Sequence, residues 1–178
     1  MTDSARRVLV IGYGNPGRLD DGLGPALAEE LAALDLPGVT IDSNYQLSVE
    51  DAEAISRYDA VVFVDAHTSI DAPFSFTPVE PDGRGSFSNH SLTPGAIVSL
   101  ARELFGATAD AHVLAIRGYE FNEYGQQLSE EARVNLGAAL EFLTSILPGG
   151  DSSFPPPQAG GESTTNARED MTCKTENM

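Results

Sequence analysis

The chain has 178 residues, 41% hydrophobic and 21% charged, the size and composition of one folded domain with a core of its own. Its 27 acidic side chains against 10 basic ones give a formal charge of −17, a field that repels phosphate backbones and argues against a nucleic-acid partner. A single cysteine, Cys173, excludes an internal disulfide framework or thiolate metal cluster, and no apolar run is long enough to span a bilayer.

The first residues, Met-Thr-Asp-Ser-Ala-Arg-Arg, lack the apolar stretch of a signal peptide, so the expected location is the cytoplasm. Val8–Ile11 reads as a strand buried on both faces. A glycine-rich turn follows, and Leu23, Leu27, Leu31 and Leu34 then recur at helical spacing, which predicts a helix over about 22–35. Val39–Ile41 is a second strand, and Ser48-Val-Glu-Asp51 fits a capping box that opens a short helix with Ile55 facing inward. Ala60–Val64 is the third and most apolar strand, and a weaker one lies near Ser75–Val79.

Residues 81–92 form a polar loop containing His90. Thr93-Pro94 starts a helix with Ile97, Leu100, Ala101 and Leu104 as its buried stripe. Val113–Ile116 is a strand, and Ser129 caps a last helix with Leu136, Leu140, Leu143 and Leu147 on its core face. Alternation of apolar runs and helical patterns predicts an α/β fold with a largely parallel sheet over residues 1–148. Residues 149–178, rich in Gly, Pro, Ser, Thr and Asn and without periodicity, read as a disordered tail. The tail carries five acidic and two basic residues, so the acidity belongs mostly to the folded part.

The turn after the first strand is compatible with several chemistries. Gly12-x-Gly14-x-x-Gly17 fits a dinucleotide fingerprint, with Asp42 available for a ribose, but Asp20 and Asp21 stand where the helix N-terminus would receive a pyrophosphate. Gly14-Asn15-Pro16-Gly17 resembles the opening of a peptidyl-tRNA hydrolase, yet no histidine follows before His67. Asp65 sits at the carboxyl end of the third strand, where open α/β sheets place their sites, and Asp21 lies just past the first strand on the same rim. His67 is either a supporting or a surface residue, and His112 reads as structural. Asp21, Asp65 and His90 together would supply two oxygens and one imidazole nitrogen, a set suited to nickel or zinc with positions left open.

Several segments occur in the order and approximate spacing of the hydrogenase maturation endopeptidases. These are Gly12-x-Gly-Asn15, Asp20-Asp21-Gly22-x-Gly24, Asn44-Tyr-Gln-Leu-Ser-Val-Glu50, Val64-Asp65-Ala66, His90 and Ile116-Arg-Gly-Tyr-Glu120. The resemblance covers about residues 8–147. It implies a three-layer α/β fold, phosphorylase/hydrolase-like, with a mostly parallel twisted sheet and helices on both faces. It also implies an endopeptidase, aspartic-type or metal-assisted, that removes a C-terminal extension from the large-subunit precursor of a nickel–iron hydrogenase. The family's metal contacts carry over to Asp21, Asp65 and His90, with Asp20 as a fallback, and Asp21 and Asp65 are the catalytic candidates. Some members have glutamate where this chain has the shorter Asp21. Nickel is expected to arrive with the substrate, and the protease to act as a monomer. The competing expectation is a Rossmann-like module that binds a nucleotide or metal without peptidase chemistry.

Overall fold

A computed structural model describes residues 5–82, 92–147 and 154–158. Strands β1 (Val8–Tyr13), β2 (Val39–Asn44), β3 (Ala60–His67), β4 (Phe74–Pro78) and β5 (Asp110–Arg117) form one sheet in the order β2-β1-β3-β5-β4. All pairings are parallel except β4 with β5, so the expected mostly parallel sheet is present with one antiparallel edge. Helices α1 (Leu23–Ala32) and α4 (Glu130–Ile146) lie on one face, and α2 (Val49–Ile55) and α3 (Pro94–Phe105) on the other. These are the three expected layers.

Strand periodicity divides the core between the two helix layers. Val8, Val10, Val62 and Val64 point toward α1 and α4, while Leu9, Ile11, Val61 and Phe63 point toward α2 and α3. Each large side chain buried in this way contributes roughly 1.5–3 kcal/mol. The helices begin where the sequence places their caps. Asp51 reaches back to the Ser48 N–H at 2.7 Å, Thr93 Oγ1 accepts the Ala96 N–H at 3.1 Å, and Ser129 Oγ accepts the Ala132 N–H at 3.3 Å.

Two helical stripes end earlier than their leucines suggest. The first helix stops at Ala32, leaving Leu34 49% exposed, and Leu104, near the end of α3, is 63% exposed. In each case the last leucine has rotated or run past the end of the apolar stripe. The region expected to be a structureless tail also contains an ordered piece. Phe154 packs against Phe76 and His112, and the Phe76 and Gln158 backbones exchange hydrogen bonds of 2.8 and 2.9 Å, so Phe154–Gln158 lies along the β4 edge. The cause is apolar: Phe154 finds a ring cluster that also includes Phe142. The rest of the proposed tail lies outside the described residues.

His112 is structural, as expected, and buried beneath this segment. Its ring stacks on Phe76 at 4.7 Å and meets Phe154 edge-on at 4.9 Å, with Nδ1 3.5 Å from Asp110. Burial lowers its pKa, Asp110 pulls it back up, and Arg6 adds to the lowering, for a net shift below 6.5. The unfolded chain therefore takes up this proton first on acidification, and stability falls as pH drops below about 6.5. His112→Phe is expected to remove that component from the pH dependence of the urea midpoint. An unchanged slope would mean that His112 titrates alike in both states.

Glycines let α1 approach the strands closely. A Cβ on Gly24 would collide with the carbonyl of Tyr13 and come within 2.5 Å of the Val64 carbonyl. Gly24→Ala is expected to cost about 1–3 kcal/mol by forcing α1 away from β1 and β3. An unmoved denaturation midpoint would contradict this.

Candidate active site

The strand order places β2 on one side of β1 and β3 on the other, so successive connections diverge above the carboxyl ends of β1 and β3. Open α/β sheets bind ligands in the crevice so formed. Gly12 pairs with Val64, which makes Tyr13 and Asp65 the next neighbours across the two strands. Both continue the rows that face α2 and α3. The Tyr13 hydroxyl donates to the Asp65 carboxylate, whose Oδ1 also accepts the Ala66 N–H at 2.8 Å.

Burial pushes the Asp65 carboxyl up, Tyr13 and Ala66 draw it back by donating to the charged form, and the negative charge of Asp21 raises it again. The outcome is a pKa of about 6. The Tyr13 phenol is pushed far above its ordinary range, first by burial and then by the Asp65 charge beside it. Asp21 and Asp65 are therefore electrostatic neighbours, as their positions in the sequence suggested.

Asp21 is carried by a 3-10 turn, Leu19–Gly22, that leads into α1. Its Oδ2 accepts the Asn15 N–H at 3.0 Å, which ties the carboxylate to the glycine turn. Gly14, at φ 137°, lies so close to the Asp21 carbonyl that a side chain there would collide with it. The glycines thus serve the close approach of two backbones and hold Asp21 over the crevice.

Asp20 points the other way and is fully buried. It accepts four hydrogen bonds: from the backbone N–H groups of Tyr119 (2.8 Å), Glu120 (3.0 Å) and Ser129 (2.8 Å), and from the Ser129 hydroxyl (2.8 Å). Burial alone would raise its pKa, but these donors together outweigh burial and hold it below the usual carboxylate range. The fallback assignment of Asp20 as a metal ligand is therefore corrected. Its lone pairs are engaged in fastening the α1 turn to the segment between β5 and α4.

The turn leaves no cradle for a phosphate. The backbone N–H groups of Gly14, Asn15, Gly17, Arg18, Leu19, Asp20 and Asp21 all donate to protein oxygens, and Pro16 has none to give. Asp42, the ribose candidate of the dinucleotide reading, instead accepts from the Ser43 N–H at 2.8 Å. A pyrophosphate would have to break these bonds beside two carboxylates.

His67 is exposed, with Nδ1 accepting the Ser69 N–H at 3.1 Å in the turn after β3. His90 lies outside the described residues. The described residues on either side of 83–91 are joined by Thr93 Oγ1 donating to Asp82 at 2.5 Å, and Leu92 packs on the α2/α3 side, the face that Asp65 continues. Among the described residues no group of three or more His, Cys, Asp or Glu side chains comes together that could hold a metal; Asp21 and Asp65 lie near each other, and the third expected residue, His90, is not among them. Tyr13 was not singled out from the sequence. Its signal was its position as the last residue of a strand whose alternate side chains line the same face as Asp65.

No protein-family model and no curated protein sequence matches the chain. Solved structures do. The [NiFe] hydrogenase maturation protease HycI from Thermococcus kodakarensis KOD1 is 25% identical, with a TM-score of 0.64 over 82% of this chain and 95% of its own. The hydrogenase 2 maturation peptidase from Thaumarchaeota archaeon SCGC_AB-539-E09 is 23% identical, with a TM-score of 0.58 over 80% and 98%. The hydrogenase maturating endopeptidase HybD from E. coli is 20% identical, with a TM-score of 0.62 over 79% and 91%. The resemblance carried by the sequence motifs thus extends to the fold of nearly the whole domain. No helix among the described residues is long and apolar enough to cross a membrane.

Proposed function

We propose that this chain, which shares its fold with the [NiFe] hydrogenase maturation proteases, is an endopeptidase that removes the C-terminal extension of a hydrogenase large-subunit precursor. The observation that carries this reading is the position of Asp65 at the β1/β3 crevice of that fold, with the Asp21 charge near enough to act on its carboxyl. The nickel belongs to the substrate. Asp21 and Asp65 contribute carboxylate oxygens toward it and His90 contributes an imidazole nitrogen, so docking depends on whether the precursor has been loaded.

The chain's own groups suit this task. With a pKa of about 6 in the chain without nickel, Asp65 is ionised at neutral pH, the form that either binds a metal ion or takes a proton from water. The Tyr13 hydroxyl fixes its orientation. Cys173 lies far outside the domain in sequence, and no nucleophile-elbow motif is present, so water is the nucleophile in this reading.

The test is to incubate the full chain with nickel-loaded and nickel-free precursor from the same organism and to weigh the products. Loss of the extension from the loaded form alone is the expected result. Separate alanine variants of Asp21, Asp65 and His90 should leave the precursor whole, whereas His112→Ala should not. A loaded precursor that keeps its full mass with the wild-type chain would overturn the reading.

A further inference from the structure

A groove of about 530 Å³ runs from the glycine turn along α1 to the outer strand β2. Leu19, Pro25, Ala32 and Ile41 give it apolar walls, and its charged groups, Glu29 and Asp42, are both acidic. One end of the groove is lined by Pro16, Leu19 and Gly22, from the turn that carries Asp21.

One wall is a sheet edge. No strand among the described residues pairs with the outer side of β2. On the inner side, the Val8 N–H donates to the Gly38 carbonyl at 2.9 Å and the Gly14 N–H to the Asn44 carbonyl at 3.1 Å. Even-numbered residues of β2 thus turn their backbone groups toward β1, and odd-numbered ones turn theirs outward. The Ser43 N–H is occupied by the Asp42 carboxylate, which leaves the N–H and C=O of Ile41 and the C=O of Ser43 without a strand partner among the described residues.

We propose that this groove and the β2 edge bind the precursor segment flanking the cut as an added strand. The occupant is an extended peptide with apolar side chains facing α1 and at least one basic side chain meeting Glu29 or Asp42. Main-chain bonds along the edge supply affinity and the groove supplies selection, as in other peptide recognition by strand addition. Charge decides among possible occupants. The chain's own C-terminal residues are net acidic and a second copy carries −17, so an acidic groove disfavours both and favours a cationic segment. At its carboxyl end β2 adjoins the glycine turn, where Gly14 donates to the Asn44 carbonyl and abuts the Asp21 carbonyl.

This inference rests on the endopeptidase reading, and its test separates the two. A synthetic peptide spanning the cut is titrated into isotope-labelled full-length chain, and the backbone amide shifts are mapped. The Ile41 and Ser43 amides should move, and N-methylation of alternate peptide amides should abolish binding. Glu29 and Ala32 are exposed, so Glu29→Lys and Ala32→Trp are compatible with the fold. In both variants the KM for precursor should rise about tenfold or more with kcat within about twofold. Unchanged KM in both variants, or shifts confined to other surfaces, would overturn the proposal. So would movement of the same two amides on truncation after Gln158, which would make the chain's own C-terminal residues the occupant. If the wild-type chain leaves loaded precursor whole, the endopeptidase reading fails, and the amide map still decides whether the groove holds the peptide.

Discussion

Asp65→Asn is expected to abolish precursor processing, by at least about 10²–10⁴-fold, and at the same time to make the protein more stable. The two effects share one cause. Burial and the neighbouring Asp21 hold the Asp65 carboxyl at about 6, whereas in the unfolded chain it titrates near 3.8. Between these values the folded protein keeps a proton that the unfolded chain has released, so the wild type loses stability as pH rises through that window. Above pH 6 the cost of the buried charge is on the order of 2–3 kcal/mol. Asparagine has nearly the same shape and bears no charge, so the variant should melt higher at neutral pH and lack that slope. Melting temperature against pH and the mass of the processed precursor are the two measurements. A destabilised variant would show Asp65 to be a structural residue, and normal processing would remove it from the active site.

Asp20→Ala is expected to have the largest effect on folding, a loss of about 3–5 kcal/mol, out of the roughly 5–15 kcal/mol that a domain usually has. The substitution strands the Tyr119, Glu120 and Ser129 amides and the Ser129 hydroxyl in a buried position. The pH signature runs opposite to that of Asp65. Because the folded pKa of Asp20 is lowered, its contribution is present above about pH 4 and is lost as pH falls through the folded value. Urea titrations at pH 7 and pH 3 should therefore differ less for Asp20→Ala than for the wild type. An equal difference would place the acid sensitivity elsewhere.

Adjacent aspartates with opposite duties mark the limit of what the sequence could tell. Local rules sufficed where partners are local. The Ser48–Asp51 box, the Thr93-Pro94 start and the Ser129 cap are all written within four residues and are found where expected. Asp21 and Asp65 could be paired because one follows β1 and the other sits near the carboxyl end of β3, at the same end of a parallel sheet. Nothing near Asp20 announces its role, since its donors lie about a hundred residues away. The Tyr13–Asp65 contact likewise depends on strand register, which composition does not reveal. Periodicity also overreached: it counted Leu34 and Leu104 as core because it detects a stripe without detecting where the helix stops or rotates. Phe154 was overlooked because prolines and small residues surround it, and one aromatic ring was enough to anchor its segment.

That anchored segment bears on how copies of the sheet can pair. A sheet with two open edges can recruit neighbours from both sides and grow without end, the route to fibrils. Here Gln158 bridges the β4 edge at Phe76, and among the described residues the outer side of β2 has no strand beside it. The sheet is thus unequal at its two sides among the described residues, open along β2 and bridged at Phe76 of β4. Pairing of one copy's β2 with the next copy's β4 is thereby obstructed at Phe76, and removing residues 154–158 would uncover that second edge.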